Sequence, residues 1–184
     1  LDAETHPLPT VPDHEGELTS FGALLVDDAP GFTPEVRRAI AAWVEKGGVL
    51  LLTLGPKAAA APLGAGFDPL VPGVVRWGPT PSPGIDAASF AILGSSATTL
   101  EDVAPRGRSS LEAEALQSAD VLAKWKDGAP FLVRRSLGRG AVLALTLPLT
   151  TGESDLAFRP AFLALLDRFV RIARARGGSP RVDA

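Results

Sequence analysis

The 184-residue chain contains no cysteine and no methionine, and only two histidines. Without cysteine there is no disulfide, no thiolate nucleophile and no sulfur ligand for a metal. Methionine is missing even at position 1, which implies a segment excised from a longer protein or a processed terminus. Charge of one sign is also scarce: a formal net charge of -3 supplies no field for nucleic acid or an anionic membrane. Long apolar runs are lacking, because the longest, Val49–Leu54, has strand length and falls far short of the ~20 residues a bilayer span needs. No signal-peptide pattern and no internal repeat is visible. The motifs GxxxxGK[ST], GxGxxG after a strand, Gly-x-Ser-x-Gly, HExxH and DxDxDG are all absent, so phosphate-loop, nucleophile-elbow and common metal chemistries lack their signatures.

What is present suits one domain. A hydrophobic share of 46% with 21% charge is ordinary for a globular protein. Residues 1–20 carry Pro7, Pro9, Pro12 and both histidines without periodicity, and read as a linker or irregular lead-in. The domain is expected over residues 21–176, with a flexible tail over 177–184.

Phe21–Thr53 is the most informative stretch. The apolar run Ala23–Val26 ends in Asp27 and Asp28. Thr33 is suited to cap a helix, with Pro34 in its first turn and Glu35 at the positive dipole end. Val36, Ile40, Trp43 and Val44 recur at helical spacing, while Arg37, Arg38 and Glu45 lie off that stripe. Gly47 supplies a left-handed stop, and Val49–Leu54 is a second buried run. Strand, helix, strand in that order predicts parallel strands covered by helices, with ligands beyond the carboxyl ends of the strands.

Lys57–Ala61 suggests a short helix, and the glycine- and proline-rich Leu63–Gly84 an irregular excursion containing Arg76-Trp77 as a short strand or packed anchor. Phe90–Leu93 reads as a short strand. Val121–Trp125 and Phe131–Val133 flank Asp127-Gly128, a strong hairpin signal. Gly138-Arg139-Gly140 then turns into the buried run Ala141–Leu147. Consecutive hairpins make the sheet mixed. The last helix is expected from Arg159 to Ala175, with Phe162, Leu165, Leu166, Phe169 and Ala173 in its core stripe. Asp167 and Arg171 form an i, i+4 pair within it. The fold class is therefore α/β, with a mixed, mainly parallel sheet and an antiparallel hairpin extension.

Candidate site residues lie at the expected ligand edge: Asp27, Asp28, Thr53, Thr151, Glu153 and Asp155. Adjacent carboxylates can bind a cation or act as general acid and base. The plainer account is preferred, in which Asp27 satisfies loop amides and Asp28 is solvated. Likewise Ser154 or Asp155 caps a turn leading into the last helix. His6 and His14 fall in the lead-in, so a nucleophile–base pair would require one of them to fold back over the sheet. Trp43 belongs to the core, whereas Trp77 and Trp125 could stack on a sugar ring. Arg168, Arg171, Arg174 and Arg176 read as a solvated helix face. No catalytic residue, metal site or cofactor is assigned.

Three segments carry a family resemblance: LLVDDAPGFTPEVRRAIAAWVEKGGVLLLTLG, VLAKWKDGAPFLVRRSLGRGAVLALTLPL and SDLAFRPAFLALLDRFVRI. Together they resemble the class I glutamine amidotransferase-like domain of large bacterial membrane proteins, which often carry Bat-like von Willebrand A-type domains. The pattern is also similar to trehalose-utilisation-type domains and to the trimerisation domain of some β-galactosidases. The resemblance spans roughly Phe21–Ile172, with Leu63–Gly107 matched loosely. It implies a flavodoxin-like three-layer sandwich, forming a soluble domain of a parent in the bacterial inner membrane. Other domains of that parent, and a MoxR-type ATPase system, are the implied partners; nucleic acid and direct membrane insertion are not implied. The resembled enzymes use a cysteine with a later histidine and glutamate. Here Thr53-Leu54-Gly55-Pro56 stands at the nucleophile turn, and neither a cysteine nor a later histidine follows. The implication is a non-catalytic binding or scaffolding module. A carbohydrate-linked module, or a residual hydrolase using strand-end carboxylates, is the alternative.

Overall fold

The computed structural model describes residues 4–62, 66–80 and 82–177. Helices and strands follow in the order α1 (Glu15–Leu18), β1 (Ala23–Asp27), α2 (Pro34–Glu45), β2 (Val49–Thr53), α3 (Pro56–Ala59), β3 (Arg76–Gly78) and β4 (Ile85–Asp86). They continue with β5 (Arg108–Ser110), α4 (Ala113–Leu116), β6 (Ala119–Trp125), β7 (Pro130–Leu137), β8 (Gly140–Leu145) and α5 (Pro160–Gly177). Short 3-10 turns cover Ala87–Ser89, Ala91–Leu100 and Leu156–Phe158. The tail at 178–184 lies outside the described residues.

Six strands form one sheet in the order β1-β2-β8-β7-β6-β4, and β3 pairs with β5 in a separate two-stranded sheet. β1, β2 and β8 run parallel, with Leu25 opposite Leu51 and Leu51 opposite Leu143. β8, β7, β6 and β4 are joined antiparallel. The sheet is mixed as expected, but its antiparallel share is larger than the sequence reading allowed. The meander β6–β7–β8 places two hairpins beside the parallel strands, and β4 adds to its outer side.

Both faces of the parallel strands are buried. All five residues of β2 are inaccessible, and alternation sends Val49 and Leu51 into one core and Leu50 and Leu52 into the other. α2 fills the second core with Ile40, Trp43 and Val44. Its start is fixed as expected, since Thr33 Oγ1 accepts the Val36 N–H at 3.4 Å. α5 fills the first core with Phe162, Leu165, Phe169 and Ala173, and its Asp167–Arg171 pair closes at 2.7 Å. The β6–β7 turn depends on Gly128 at φ 86°, a backbone state that side chains disfavour. Asp127 Oδ1 accepts the Ala129 N–H there at 3.1 Å.

Two segments differ from expectation, and a third follows it. Part of the lead-in is packed onto the domain: Leu18 is fully buried in the second core, and Glu15 pairs with Lys46. Phe90–Leu93 is 3-10 turn rather than strand, because Phe90 N–H bonds to Ala87 O and Leu93 N–H to Phe90 O. Phe90 is nonetheless fully buried. The described residues of the 63–84 excursion have little regular structure beyond the short strand at Arg76–Gly78, as expected, and Phe67, Leu70, Val71 and Val75 anchor them in the second core.

Candidate functional site

The register of β1 and β2 sets Asp27 beside Thr53 at the carboxyl ends of their strands. Thr53 is fully buried, and its hydroxyl donates to Asp27 Oδ1 at 2.5 Å. Leu149 N–H, from the loop after β8, donates to the same oxygen at 2.8 Å. Asp27 itself stays exposed.

Asp28 falls on the opposite face by strand alternation, and its φ of 43° marks the turn of the chain just beyond the strand. Its N–H reaches Thr53 O at 3.1 Å and Thr53 Oγ1 at 3.2 Å. Its carboxylate is only 3% exposed and accepts the N–H groups of Ala58 at 2.9 Å and Lys57 at 3.3 Å. Those amides open α3, whose N-cap is Gly55 and carries no capping side chain. Asp28 therefore caps α3 from a distant part of the chain, placing a negative charge at the positive end of the helix. Gly55 is needed to admit it, since a Cβ there would stand 2.7 Å from Asp28 Cγ. The expected assignment is thus corrected: Asp28 is the buried member, and Asp27, the exposed one, bonds to the amide of Leu149 rather than to the loop that follows β1.

The loop after β8 forms a second group. Thr151 is exposed, and Glu153 offers its backbone carbonyl to Arg106 N–H at 2.9 Å. Ser154 Oγ accepts the Leu156 N–H at 3.3 Å, which is the expected cap of the turn before α5. Asp155 pairs with Arg159 at 2.5 Å, and Arg159 also reaches Asp102 at 2.5 Å and Thr99 O at 3.0 Å. Hydrogen bonding to Asp155 outweighs burial and raises Arg159 above its ordinary range. Among the described residues, Thr151, Glu153 and Asp155 make no hydrogen bond to Asp27, Asp28 or Thr53. Leu149 is the join between the groups.

The histidines stay away from both groups. His6 lies 3.3 Å from Glu4 and His14 lies 3.6 Å from Asp13, with all four side chains well exposed. Among the described residues no group of three or more His, Asp or Glu is arranged to hold a metal ion.

A buried polar cluster at the end of β8 was not anticipated. Trp125 is fully buried, its indole N–H donating to Thr146 Oγ1 at 3.0 Å, while Phe131 meets its ring edge-on. The Arg108 guanidinium carbon sits 5.3 Å from that ring and forks onto Asp127 at 2.9 and 2.5 Å. Hydrogen bonding to Arg108 holds the Asp127 carboxyl below the usual carboxylate range. Ser109 N–H bonds to Thr146 O at 2.9 Å, so β5 closes over β8 just as α3 closes over β1 and β2. The sequence signalled the Asp127-Gly128 turn and its flanking strands, but the expectation that Trp125 could stack on a sugar ring is corrected by its full burial.

Two hollows lie elsewhere. A shallow surface groove of about 420 Å³ runs beside α2, lined by Arg37, Arg38, Glu45 and Asp68. A cavity of about 10 Å³ lies among Leu70, Val71, Val133 and Val142. Neither includes a predicted site residue.

No family model and no curated protein matches the chain. Solved structures do share its fold. The cytoplasmic protein STM3548 of Salmonella typhimurium is 16% identical with a TM-score of 0.59, the match covering 89% of this chain and 76% of that one. A cold-adapted β-galactosidase from Rahnella sp. R3 is 16% identical with a TM-score of 0.57, over 86% of this chain and 24% of the enzyme. An exo-β-1,4-mannosidase from Opitutaceae bacterium strain TAV5 is 17% identical with a TM-score of 0.43, over 85% of this chain and 24% of that one. The chain spans about a quarter of the length of these glycosidases. The matches with TM-scores of 0.59 and 0.57 show likeness of fold alone. Among the described residues no helix is long and apolar enough to cross a membrane.

Proposed function

We propose that this chain is a non-catalytic binding or scaffolding module of flavodoxin-like, three-layer architecture, related to class I glutamine amidotransferase-like domains. It works within a larger, membrane-anchored bacterial protein whose other domains are its first partners, with a MoxR-type ATPase system as a further one. The observation carrying this reading is the use the fold makes of its own strand-end groups. Asp28 is spent capping α3, and Thr53 donates to Asp27 while accepting from Asp28 N–H. Thr53 is fully buried, with its hydroxyl committed to Asp27 and no imidazole beside it, which supports a structural use of the strand ends. The test is ammonia release from glutamine by the purified protein. No release above background is expected; turnover abolished by Thr53→Val, Asp27→Asn or Glu153→Gln would overturn the reading.

The fold likeness to part of a β-galactosidase motivates a second reading, a carbohydrate-linked module. Full burial of Trp125 removes half of its stacking platform. Thermal-shift screening against mono- and disaccharides separates the two readings, since a shift with any sugar favours the second.

A further inference from the structure

Among the described residues the six-stranded sheet ends on one side at β1, which pairs with β2 alone. Val49 N–H bonds to Gly22 O and Asp28 N–H to Thr53 O. In a parallel ladder with that phase, residues 22, 24, 26 and 28 turn their backbone groups toward β2. Ala23, Leu25 and Asp27 therefore aim their N–H and C=O groups outward. No described hydrogen bond from beyond the sheet reaches them.

Exposed edges are normally blunted by lysine, proline, a bulge or a covering element. Ala23–Val26 holds no lysine, proline or bulge, no hydrogen bond among the described residues covers its outer side, and the one charge on β1, Asp27, comes at its end. The helix above is apolar on the same side. α5 lies across β1 and β2. Ala161, on one flank of its Phe162 stripe, meets the 3-10 segment through Thr99, its N–H reaching Thr99 Oγ1 at 3.3 Å. Leu163 is on the opposite flank by helical periodicity, followed by Leu166 and Val170. Leu163 is 60% exposed and Leu25, on the α5 face of β1, is 37% exposed. Backbone edge and apolar shelf thus face outward together.

We propose that the β1 edge is a strand-addition site for an extended, apolar peptide segment of a partner protein. Main-chain hydrogen bonds to Ala23, Leu25 and Asp27 would supply affinity, and an apolar residue laid against Leu25 and Leu163 would supply selectivity. Size decides between occupants. A stable dimer buries about 800 Å² on each partner. Two exposed leucines beside a five-residue strand are too little apolar surface for that, whereas one added strand of roughly 17 Å matches the edge. This inference deepens the reading of the chain as a binding module. The ammonia assay and the experiment below can fail independently.

The probe is a lysine-flanked eight-residue peptide alternating valine and threonine, and the readout is amide hydrogen exchange followed by NMR. With about 1 mM peptide, exchange at Ala23, Leu25 and Asp27 should slow about tenfold or more while Leu24 and Val26 stay unchanged. Leu25→Pro should abolish the effect, since it removes an outward donor and leaves the bonds to β2 intact. The same peptide N-methylated at alternate residues should also be inert, a control that does not depend on how the variant folds. Unaltered exchange at the three amides, or equal protection by the N-methylated peptide, would overturn the proposal. So would amides already protected in a free protein that sediments as a dimer, because a second copy would then hold the edge.

Discussion

Replacing Asp28 dissects the link between a strained backbone, a buried charge and the helix it caps. Its carboxylate accepts two amide hydrogen bonds at 3% exposure and its φ is 43°. Removing a charged acceptor of this kind costs about 2–3 kcal/mol. Alanine at a left-handed backbone position costs about 1 kcal/mol more, a penalty glycine avoids. Asp28→Ala is therefore expected to destabilise by about 4 kcal/mol, Asp28→Gly by about 3, and Asp28→Asn, which keeps one acceptor and tolerates the conformation, by about 1. At ~2–4 °C per kcal/mol for a chain of this size, Asp28→Ala should lower Tm by roughly 8–16 °C. Urea unfolding followed by circular dichroism measures the series. An Asp28→Ala variant within about 0.5 kcal/mol of the parent would refute the capping argument. A series without the alanine–glycine gap would refute the backbone argument alone.

Other expectations follow from the same contacts. Asp127 and Arg108 are both mostly shielded, with side chains 25% and 13% exposed. Because Arg108 depresses the Asp127 carboxyl, its contribution is present above the unfolded value near pH 4 and lost as pH falls through the folded value. Asp127→Asn should cost about 1 kcal/mol in urea unfolding at pH 7, and the difference from the parent should shrink as pH falls through the folded value. Thr146→Val strands the Trp125 indole N–H and should destabilise by about 1–3 kcal/mol, with altered near-ultraviolet dichroism from the tryptophan. Leu18→Ala should cost about 2–5 kcal/mol in the same urea assay; an unchanged midpoint would show that the lead-in packs only loosely.

The legible parts of the fold were those whose signals are local. Thr33, Pro34 and the Val36–Val44 stripe announce α2 with their own chemistry, and Asp127-Gly128 announces its hairpin. Phe90–Leu93 misled because an apolar run of four residues does not distinguish a strand from 3-10 turns, and both bury Phe90. At the strand ends, alternation assumes an extended backbone. Here burial alternates on through Asp28, with Val26 and Asp28 shielded and Leu25 and Asp27 exposed, but Ala23–Val26 is apolar on both faces, so the sequence held no sign of which aspartate faced inward. The Asp28 partner Ala58 lies 30 residues away, a pairing that no window of sequence displays. Burial of Trp125 was hidden for a similar reason, since Thr146 and Arg108 reach it from separate elements.

The position of β8 has a consequence for how the chain assembles as it is made. The β1–β2 pair and the β7–β6–β4 ribbon meet only through this strand, although it is the last of the eight to be synthesised. A nascent chain stopped before Gly140 holds two part-sheets with a gap where their common neighbour belongs. Closing that gap joins Leu51 to Leu143 across half of the sequence, an entropically costly step. The sheet can therefore become continuous only once β8 has been made.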